Sequence, residues 1–343
     1  MVCPRSVRVA VEPPPVTVEV RRRPDADEER RELLAALRAQ PRSIPSKHFY
    51  DERGLALFDT ITALPEYYPT RTERAILERV APEVARTSGA AELVELGSGS
   101  ATKTRLLLDA LHRDEPHGAG SLRLYVPVDV NEASLARVGE ELVRDYPGLL
   151  VHGVAADFLG PLAPLPVLPE EGGPRLAIFL GGTLGNLRPA DEAPAFLARL
   201  RQALSLGDWF LLGVDLVKDV ATLEAAYDDA AGVTAEFNRN VLRVVNRLLR
   251  ADFDPARFRH RAFYDRANDW IEMRLVAEGA QVVSLGVTGE TLHLLDGEEI
   301  RTEISAKYTR ERAEALLSGA GFAPRQWHTD DRGWFGVSLA RAV

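Results

Sequence analysis

LVELGSGSATKTRLLLDAL, residues 93–111, is the stretch whose reading decides the fold. Apolar residues run to Glu95 and Leu96, break at Gly97, Ser98 and Gly99, and resume at helical spacing at Thr104, Leu107, Leu108 and Leu111, which predicts strand, tight turn and helix. Glycines at 97 and 99 carry no Cβ to hold a ligand off the backbone, and the following helix aims its free N–H groups and positive dipole end at the turn. The turn therefore suits a polar or anionic ligand.

A phosphate loop would need Gly-Lys-Ser/Thr entering the helix, and Lys103 is not preceded by glycine. A dinucleotide fingerprint would need a third glycine where Thr102 stands. What remains, an acid followed by Gly-x-Gly at the end of a first strand, resembles the first motif of class I methyltransferases that use S-adenosylmethionine.

Outward from this turn, β and α signals alternate. Strands are predicted at 122–130, ending near Asp129, at 149–158, ending in Asp157 and Phe158, at 175–186 running into a glycine-rich loop, and at 208–217; helices are predicted at 132–145 and 190–204. This is the pattern of a doubly wound parallel sheet, in which ligands bind outside the carboxyl ends of the strands. Asp129 is then placed to accept both hydroxyls of a ribose, and Asp157 to accept from an adenine amino group with Phe158 against the ring. Each acid alone reads more readily as a helix cap or turn residue; three coincident strand ends favour a ligand site.

Upstream, residues 1–25 alternate valines with prolines and are expected to form an extended or poorly ordered lead-in. A helix from 27 to about 40 precedes an aromatic-rich segment (Phe49, Tyr50, Phe58, Tyr67, Tyr68) that can lie over the ligand-binding edge, and a helix at 71–86 leads into the opening turn. Downstream, residues 218–307 interrupt the sheet with a helical stretch and short alternating runs of antiparallel character, after which a helix and a strand pair close the chain. The fold class expected is α/β: a class I, Rossmann-like methyltransferase sheet at 72–216 and 308–343, with a second α+β substrate-binding domain at 26–71 and 217–307, built from the N-terminal extension and the insertion.

The lone cysteine, Cys3, excludes an internal disulfide and a cysteine-ligated zinc site, and the seven histidines show no HExxH or paired spacing, so no metal is expected. A net charge of −9 argues against nucleic acid or an anionic membrane as the main partner. Without a signal-peptide core or a membrane-length apolar run, the expected location is the cytoplasm, and the expected state a monomer.

LPEYYPTR (64–71), VELGSGSATKTR (94–105), FLGGTLGNL (179–187), DLVKD (215–219), AYDDAAGVTAEFNRNVL (226–242), IEM (271–273) and TEIS (302–305) closely resemble, in order, the L-histidine Nα-methyltransferases of ergothioneine biosynthesis. The resemblance implies trimethylation of histidine to hercynine, through mono- and dimethylated forms, with S-adenosylmethionine as methyl donor. It implies cofactor contacts at Tyr50, Gly97, Lys103, Asp129, Asp157 and Phe158. It puts the substrate carboxylate on Asn186 and Tyr227 and the imidazole on Glu303 and Ser305, with Tyr67, Gly181 and Met273 shaping the pocket and Phe58 along the ring. One departure is Gly182, where relatives are expected to carry serine. Methyl transfer from a sulfonium is an in-line displacement that needs no strong base, and Tyr50 and Phe58, with Tyr67, offer aromatic faces to a nitrogen that ends as a fixed cation. Singly, Asn186 reads as a cap, Tyr227 as an interface residue and Glu303 as a solvated strand residue. The competing functions are an Nα-methyltransferase for another aromatic amino acid and a catalytically silent S-adenosylmethionine-binding partner protein.

Overall fold

The structure, a computed structural model, describes residues 14–21, 26–99, 101–112, 122–160, 162, 164–167 and 173–343. In chain order its elements are β1 (Val16–Val20), α1 (Ala26–Arg38), β2 (Arg42–Ser43), α2 (Glu52–Thr62), α3 (Tyr68–Ser88), β3 (Glu92–Leu96), α4 (Thr104–Leu111), β4 (Leu124–Asp129), α5 (Glu132–Asp145), β5 (Leu150–Ala155) and β6 (Arg175–Phe179). There follow α6 (Glu192–Gln202), β7 (Trp209–Asp215), α7 (Val220–Ala225), α8 (Val233–Leu249), β8 (Phe258–Asp265), β9 (Trp270–Ala277), β10 (Gln281–Leu285), β11 (Glu290–Leu294), β12 (Glu299–Ala306), α9 (Arg310–Gly319), β13 (Phe322–Thr329) and β14 (Phe335–Ala342).

The main sheet has the order β1-β5-β4-β3-β6-β7-β14-β13. Strands β5, β4, β3, β6 and β7 are mutually parallel, and the final hairpin β13–β14 is antiparallel, with β14 against β7. β3 is buried along its whole length, as an interior parallel strand covered on both faces must be. Strand order reverses between β3 and β6, so the crevice outside their carboxyl ends is the topological switch point where such sheets bind ligands. One apolar core on one face holds Phe179, Phe196 and Phe210, and another on the opposite face holds Leu77, Leu107 and Leu142.

A third core lies beside this sheet. α1, the aromatic segment and α8 bury Leu33, Leu37, Phe49, Phe237, Val241 and Val245 against the four-stranded sheet β2-β12-β9-β8. The buried positions of α8, at Phe237, Val241, Leu242, Val245 and Leu249, recur at the three- to four-residue interval of one helix face. The N-terminal extension and the insertion thus share one hydrophobic core although more than a hundred residues of the main sheet separate them in sequence. No described helix is long and apolar enough to cross a membrane.

The lead-in is more ordered than an irregular segment. Val16–Val20 adds a parallel edge strand to β5, register Val16↔Val151 to Val20↔Ala155. Proline at 14 and 15 ends just before the paired stretch, and the strand lies at the edge, where a missing ladder partner is tolerated. Two glycines make room for it: a Cβ on Gly139 would lie 2.8 Å from Val16 Cγ1, and one on Gly153 3.4 Å from Val18 Cγ2. Residues 1–13 and 22–25 of the expected lead-in lie outside the described residues.

If β1 is packed as described, Gly139→Ala overfills the α5–β1 contact and lowers stability by about 1–3 kcal/mol. Denaturant unfolding should show most of that loss disappearing when residues 1–21 are removed from both proteins. An equal loss with and without them would mean that the clash lies elsewhere.

Candidate functional site

Gly97 and Gly99 both adopt left-handed backbone angles, φ 71° and 51°. Gly97 donates its N–H to Val128 O at 2.8 Å, and a Cβ on it would lie 3.4 Å from Cε1 of Phe158. Asp129, at the end of β4, accepts from the N–H of Gly99 at 3.1 Å on one oxygen and from the N–H of Asn131 at 3.0 Å on the other. A carboxylate has about four acceptor positions, so two backbone bonds orient Asp129 and leave capacity for a ligand. Asp157 accepts from Leu159 N–H at 2.8 Å, and the Phe158 ring is held edge-on by Phe179 and Phe196, at 5.4 and 6.2 Å. The structure therefore brings Gly97, Asp129, Asp157 and Phe158 together at the ends of three adjacent strands.

The acid of the opening motif points the other way. Glu95 is buried and accepts from Thr104 Oγ1 at 2.6 Å and from the Tyr125 hydroxyl, pinning the start of α4 to β4 beneath the turn. Burial pushes its carboxyl up to about 7 against these hydrogen bonds.

A second buried acid connects the two halves of the site. Glu73, on α3, is wholly buried; it pairs with the ammonium of Lys103 and accepts the Gly181 N–H at 2.8 and 3.0 Å. A Cβ on Gly213 would collide with its Oε1, so β7 needs glycine there. Sequence reading passed over Glu73, though it interrupts the inward stripe of Ile76, Leu77, Val80 and Val84, and an acid on an apolar stripe is itself a signal of a buried partner. Gly181 and Gly182 follow at φ 81° and 68°, so the glycine at 182 matches a backbone that other residues adopt only under strain.

The remaining residues converge from the second sheet. Glu303 on β12 stands opposite Met273 on β9, which is 2% exposed. Burial pushes the Glu303 carboxyl up to about 7, opposed by Lys307 and by the Asn186 amide beside it. Asn186 ends a short 3-10 turn, Thr183–Asn186, which packs so closely on β12 that a Cβ on Gly185 would lie 2.8 Å from Ala306 O and 3.3 Å from Ser305 Oγ. Tyr227 and Ser305 are hydrogen-bonded at 2.7 Å. From Tyr227 a train of rings runs outward: Tyr67 at 6.3 Å, Phe58 a further 6.1 Å and Tyr50 a further 5.7 Å, each met edge to face. Tyr50, at the outer end of the train, is 38% exposed, and desolvation of its hydroxyl together with the nearby charge of Glu303 raises its phenol above the ordinary range, so it stays neutral.

Behind this pocket lies a charged cluster. Asp215, 4% exposed at the end of β7, accepts from the Tyr68 hydroxyl at 3.0 and 2.8 Å and pairs with Lys218 and with Lys307 at 2.8 Å. Burial raises its carboxyl, but Lys307 and Lys218 outweigh that and hold it below the ordinary carboxylate range. Burial in turn pushes the Lys218 ammonium down to about 8. Among the described histidines, His260 is a core residue, bonded to the Asn238 amide at 2.8 Å and to Tyr227 O at 2.9 Å; His117 lies outside the described residues. No described group of three or more His, Cys, Asp or Glu is disposed to hold a metal.

The family described as histidine-specific methyltransferase, SAM-dependent, has a sequence model that matches residues 29–342. Histidine N-alpha-methyltransferases from Mycobacterium tuberculosis and Mycolicibacterium smegmatis are each 48% identical to this chain, over 91% of it and 94% of their own length. Ergothioneine biosynthesis protein 1 of Neurospora crassa is 32% identical over 82% of this chain, which corresponds to 31% of that longer protein.

The raised carboxyl of Glu95 fixes the sign of a pH effect. Between its unfolded value of 4.5 and about 7 the folded protein holds a proton that the unfolded chain has lost, so stability falls as pH rises through that window. Thermal unfolding from pH 5 to 7.5 should show the wild type losing more stability than Glu95→Gln, by roughly 2–3 kcal/mol. Parallel pH profiles would mean that Glu95 ionises as freely folded as unfolded.

Proposed function

This chain belongs to the histidine-specific, S-adenosylmethionine-dependent methyltransferase family, and from that premise we propose that it methylates the α-amino nitrogen of L-histidine three times, giving hercynine for ergothioneine biosynthesis. The observation that carries this reading is the pairing of two subsites by one acid: Glu73 bonds both Lys103, beside the glycine turn, and Gly181, in the loop that leads through the turn Thr183–Asn186 to Asn186 beside Glu303. A methyl donor and an amino acid held in these subsites would face each other.

The residues at the strand ends fit S-adenosylmethionine. Gly97 and Gly99 leave the turn free of side chains, Asp129 retains acceptor positions for two ribose hydroxyls, Asp157 can accept from an adenine amino group, and Phe158 offers a held aromatic face. When bound, S-adenosylmethionine supplies a methyl group on a sulfonium. The chain's own task is to present a nitrogen lone pair to that methyl group in line. Asn186 and Tyr227 are neutral donors suited to the histidine carboxylate. Glu303, ionised above about pH 7, accepts an imidazole N–H, with Ser305 on the ring's other side and Met273 and Tyr67 bounding the pocket. Tyr50 and Phe58 present aromatic faces to the amine as it changes from neutral nitrogen to fixed cation. An α-amino group titrates near 8 in peptide models, so an appreciable neutral fraction exists without a dedicated base, and each displaced proton leaves to water.

We assign the second sheet with α1, α2, α7 and α8 to substrate binding and the main sheet to the cofactor. The partly methylated amines are substrates of the same site, and the enzyme acts as a monomer in the cytoplasm.

Incubation of histidine with the protein and S-adenosylmethionine, followed by mass spectrometry, should give a product carrying three added methyl groups. Methylation of tryptophan or of histamine in preference to histidine would sink the assignment. Asp129→Ala should weaken S-adenosylmethionine binding by about 1.5–3 kcal/mol in calorimetry, and Asn186→Ala should chiefly raise KM for histidine. Cofactor affinity unchanged in the first variant, or a kcat loss at constant KM in the second, would remove that residue from its role.

A further inference from the structure

Thr302, Asn238 and His260 take no part in the chemistry above, yet all three are polar and buried, at 1%, 0% and 7% exposure. They come from three elements, β12, α8 and β8, and are bonded in series. Thr302 Oγ1 lies 2.7 Å from Asn238 Oδ1, Asn238 Nδ2 lies 2.8 Å from His260 Nδ1, and His260 Nε2 lies 2.9 Å from the backbone oxygen of Tyr227.

Two backbone carbonyls fix the direction of this series, because a carbonyl only accepts. Asn238 Nδ2 also meets Arg274 O at 3.1 Å, so it is the amide nitrogen, not the oxygen, that stands there. Its second N–H then donates to His260 Nδ1, which must carry a lone pair, while Nε2 carries the proton donated to Tyr227 O. His260 is therefore the neutral Nε2–H tautomer, in keeping with the burial that lowers its pKa. Thr302 is left to donate to Asn238 Oδ1, with Met273 O a second acceptor at 3.0 Å. A buried asparagine on the apolar face of α8 is costly unless bonded, and both N–H groups and the oxygen of Asn238 have partners.

Each end of the series holds a residue of the proposed histidine subsite. In β12, Arg301 stands opposite Arg274 and Glu303 opposite Met273, so Thr302 has no partner on β9 and forms a bulge. Residues directly opposite share a face of the sheet, and faces alternate along β9. The bulge therefore moves Glu303 from the face of Arg301 to that of Ile300, where Met273 lies. The Thr302 side chain, bonded to Asn238 and to Met273 O, anchors that bulge. At the other end, Tyr227 lies in the connection between α7 and α8, and His260 ties its carbonyl to β8.

We propose that Thr302, Asn238 and His260 are positioning residues that hold the two ends of the histidine subsite in register. Thr302 fixes the bulge that turns Glu303 toward the ring, His260 fixes Tyr227 toward the carboxylate, and Asn238 joins the two. The inference rests on the proposed placement of the histidine ring at Glu303 and its carboxylate at Tyr227. It deepens that reading by naming what sets the distance between the two recognition points.

The test is calorimetry with S-adenosylhomocysteine bound, comparing histidine with histamine, which keeps the ring and the amine and lacks the carboxylate. The wild type should bind histidine roughly tenfold or more tightly, as a site built to hydrogen-bond a group rejects the analogue lacking it. His260→Leu should weaken histidine about tenfold and histamine less than about threefold, since Tyr227 serves the carboxylate alone. His260→Gln, which keeps a donor for Tyr227 O, should restore most of that loss. Thr302→Val keeps the side chain's shape and removes its hydroxyl; it should weaken both ligands alike, by roughly threefold or more, since both present a ring to Glu303. Affinity for S-adenosylhomocysteine itself should stay unchanged throughout. Equal losses for the two ligands in His260→Leu, no recovery in His260→Gln, or unaltered affinities in Thr302→Val overturn the proposal. If His260→Leu loses S-adenosylhomocysteine binding and so its fold, Thr302→Val decides by the same criterion. A wild type that prefers histidine, with variants that match it, leaves the histidine reading standing and removes this one; a wild type that binds both ligands alike removes the carboxylate placement and this inference with it.

Discussion

Asp215 is the point on which the two halves of the molecule are fastened. Its carboxylate sits at the carboxyl end of β7 in the main sheet, and its partners are Tyr68 from the N-terminal extension, Lys218 three residues on at the start of the insertion and Lys307 at the insertion's end. A carboxylate this deeply enclosed is tolerable only when paired, so each partner is held as firmly as it holds. Backbone contacts reinforce the junction, with Tyr308 N–H on Asp215 O at 2.9 Å and Phe335 opposite Asp215 in the β14–β7 register. Because Tyr227 and Ser305 hang from Lys307, the proposed amino-acid subsite inherits its position from the main sheet.

Glu73 makes the complementary connection. It joins Lys103, from the loop after β3, to the backbone of Gly181, from the loop after β6, across the switch point of strand order. One acid thus sets the distance between the turn that suits a cofactor and the loop that leads to Asn186. Lys307, one of the two cations on Asp215, also opposes the burial that drives the Glu303 carboxyl toward its neutral form. These buried charges are arranged about the space where a cationic methyl donor and a zwitterion would have to meet.

Much of this was legible in the sequence because parallel sheets write themselves locally. Each strand end carries its own mark, Gly97, Asp129 or Asp157, within a few residues of an apolar run, and α5 and α9 declare their starts by Asn131 and Thr309 caps. The edge strand β1 was read as a lead-in because its short, proline-flanked valine alternation has meaning only beside β5. Lys307 stayed hidden for a different reason: a charge at a strand end looks like surface until its partner is brought to it, while Glu73, marked by its place on an apolar stripe, has partners at Lys103 and Gly181 that only the fold supplies. Tyr50, Phe58, Tyr67, Asn186, Tyr227 and Glu303 were singled out through resemblance rather than local pattern, since tertiary packing alone unites them. The train of rings from Tyr50 to Tyr227 and the place of Asn186 beside Glu303 are facts of the fold that no periodicity could supply.

The central claim is that histidine lies with its ring between Glu303 and Ser305 and its amine toward the methyl donor, in the register set by Asp215 and Glu73. A crystal structure with histidine and S-adenosylhomocysteine tests it directly. The account predicts ring nitrogens on Glu303 and Ser305, the carboxylate on Asn186 and Tyr227, and the amine nitrogen facing the sulfur, with room for a methyl group between them at the roughly 3–3.5 Å approach that transfer requires. A ring found away from Glu303, or a carboxylate seated where the ring should be, would contradict it.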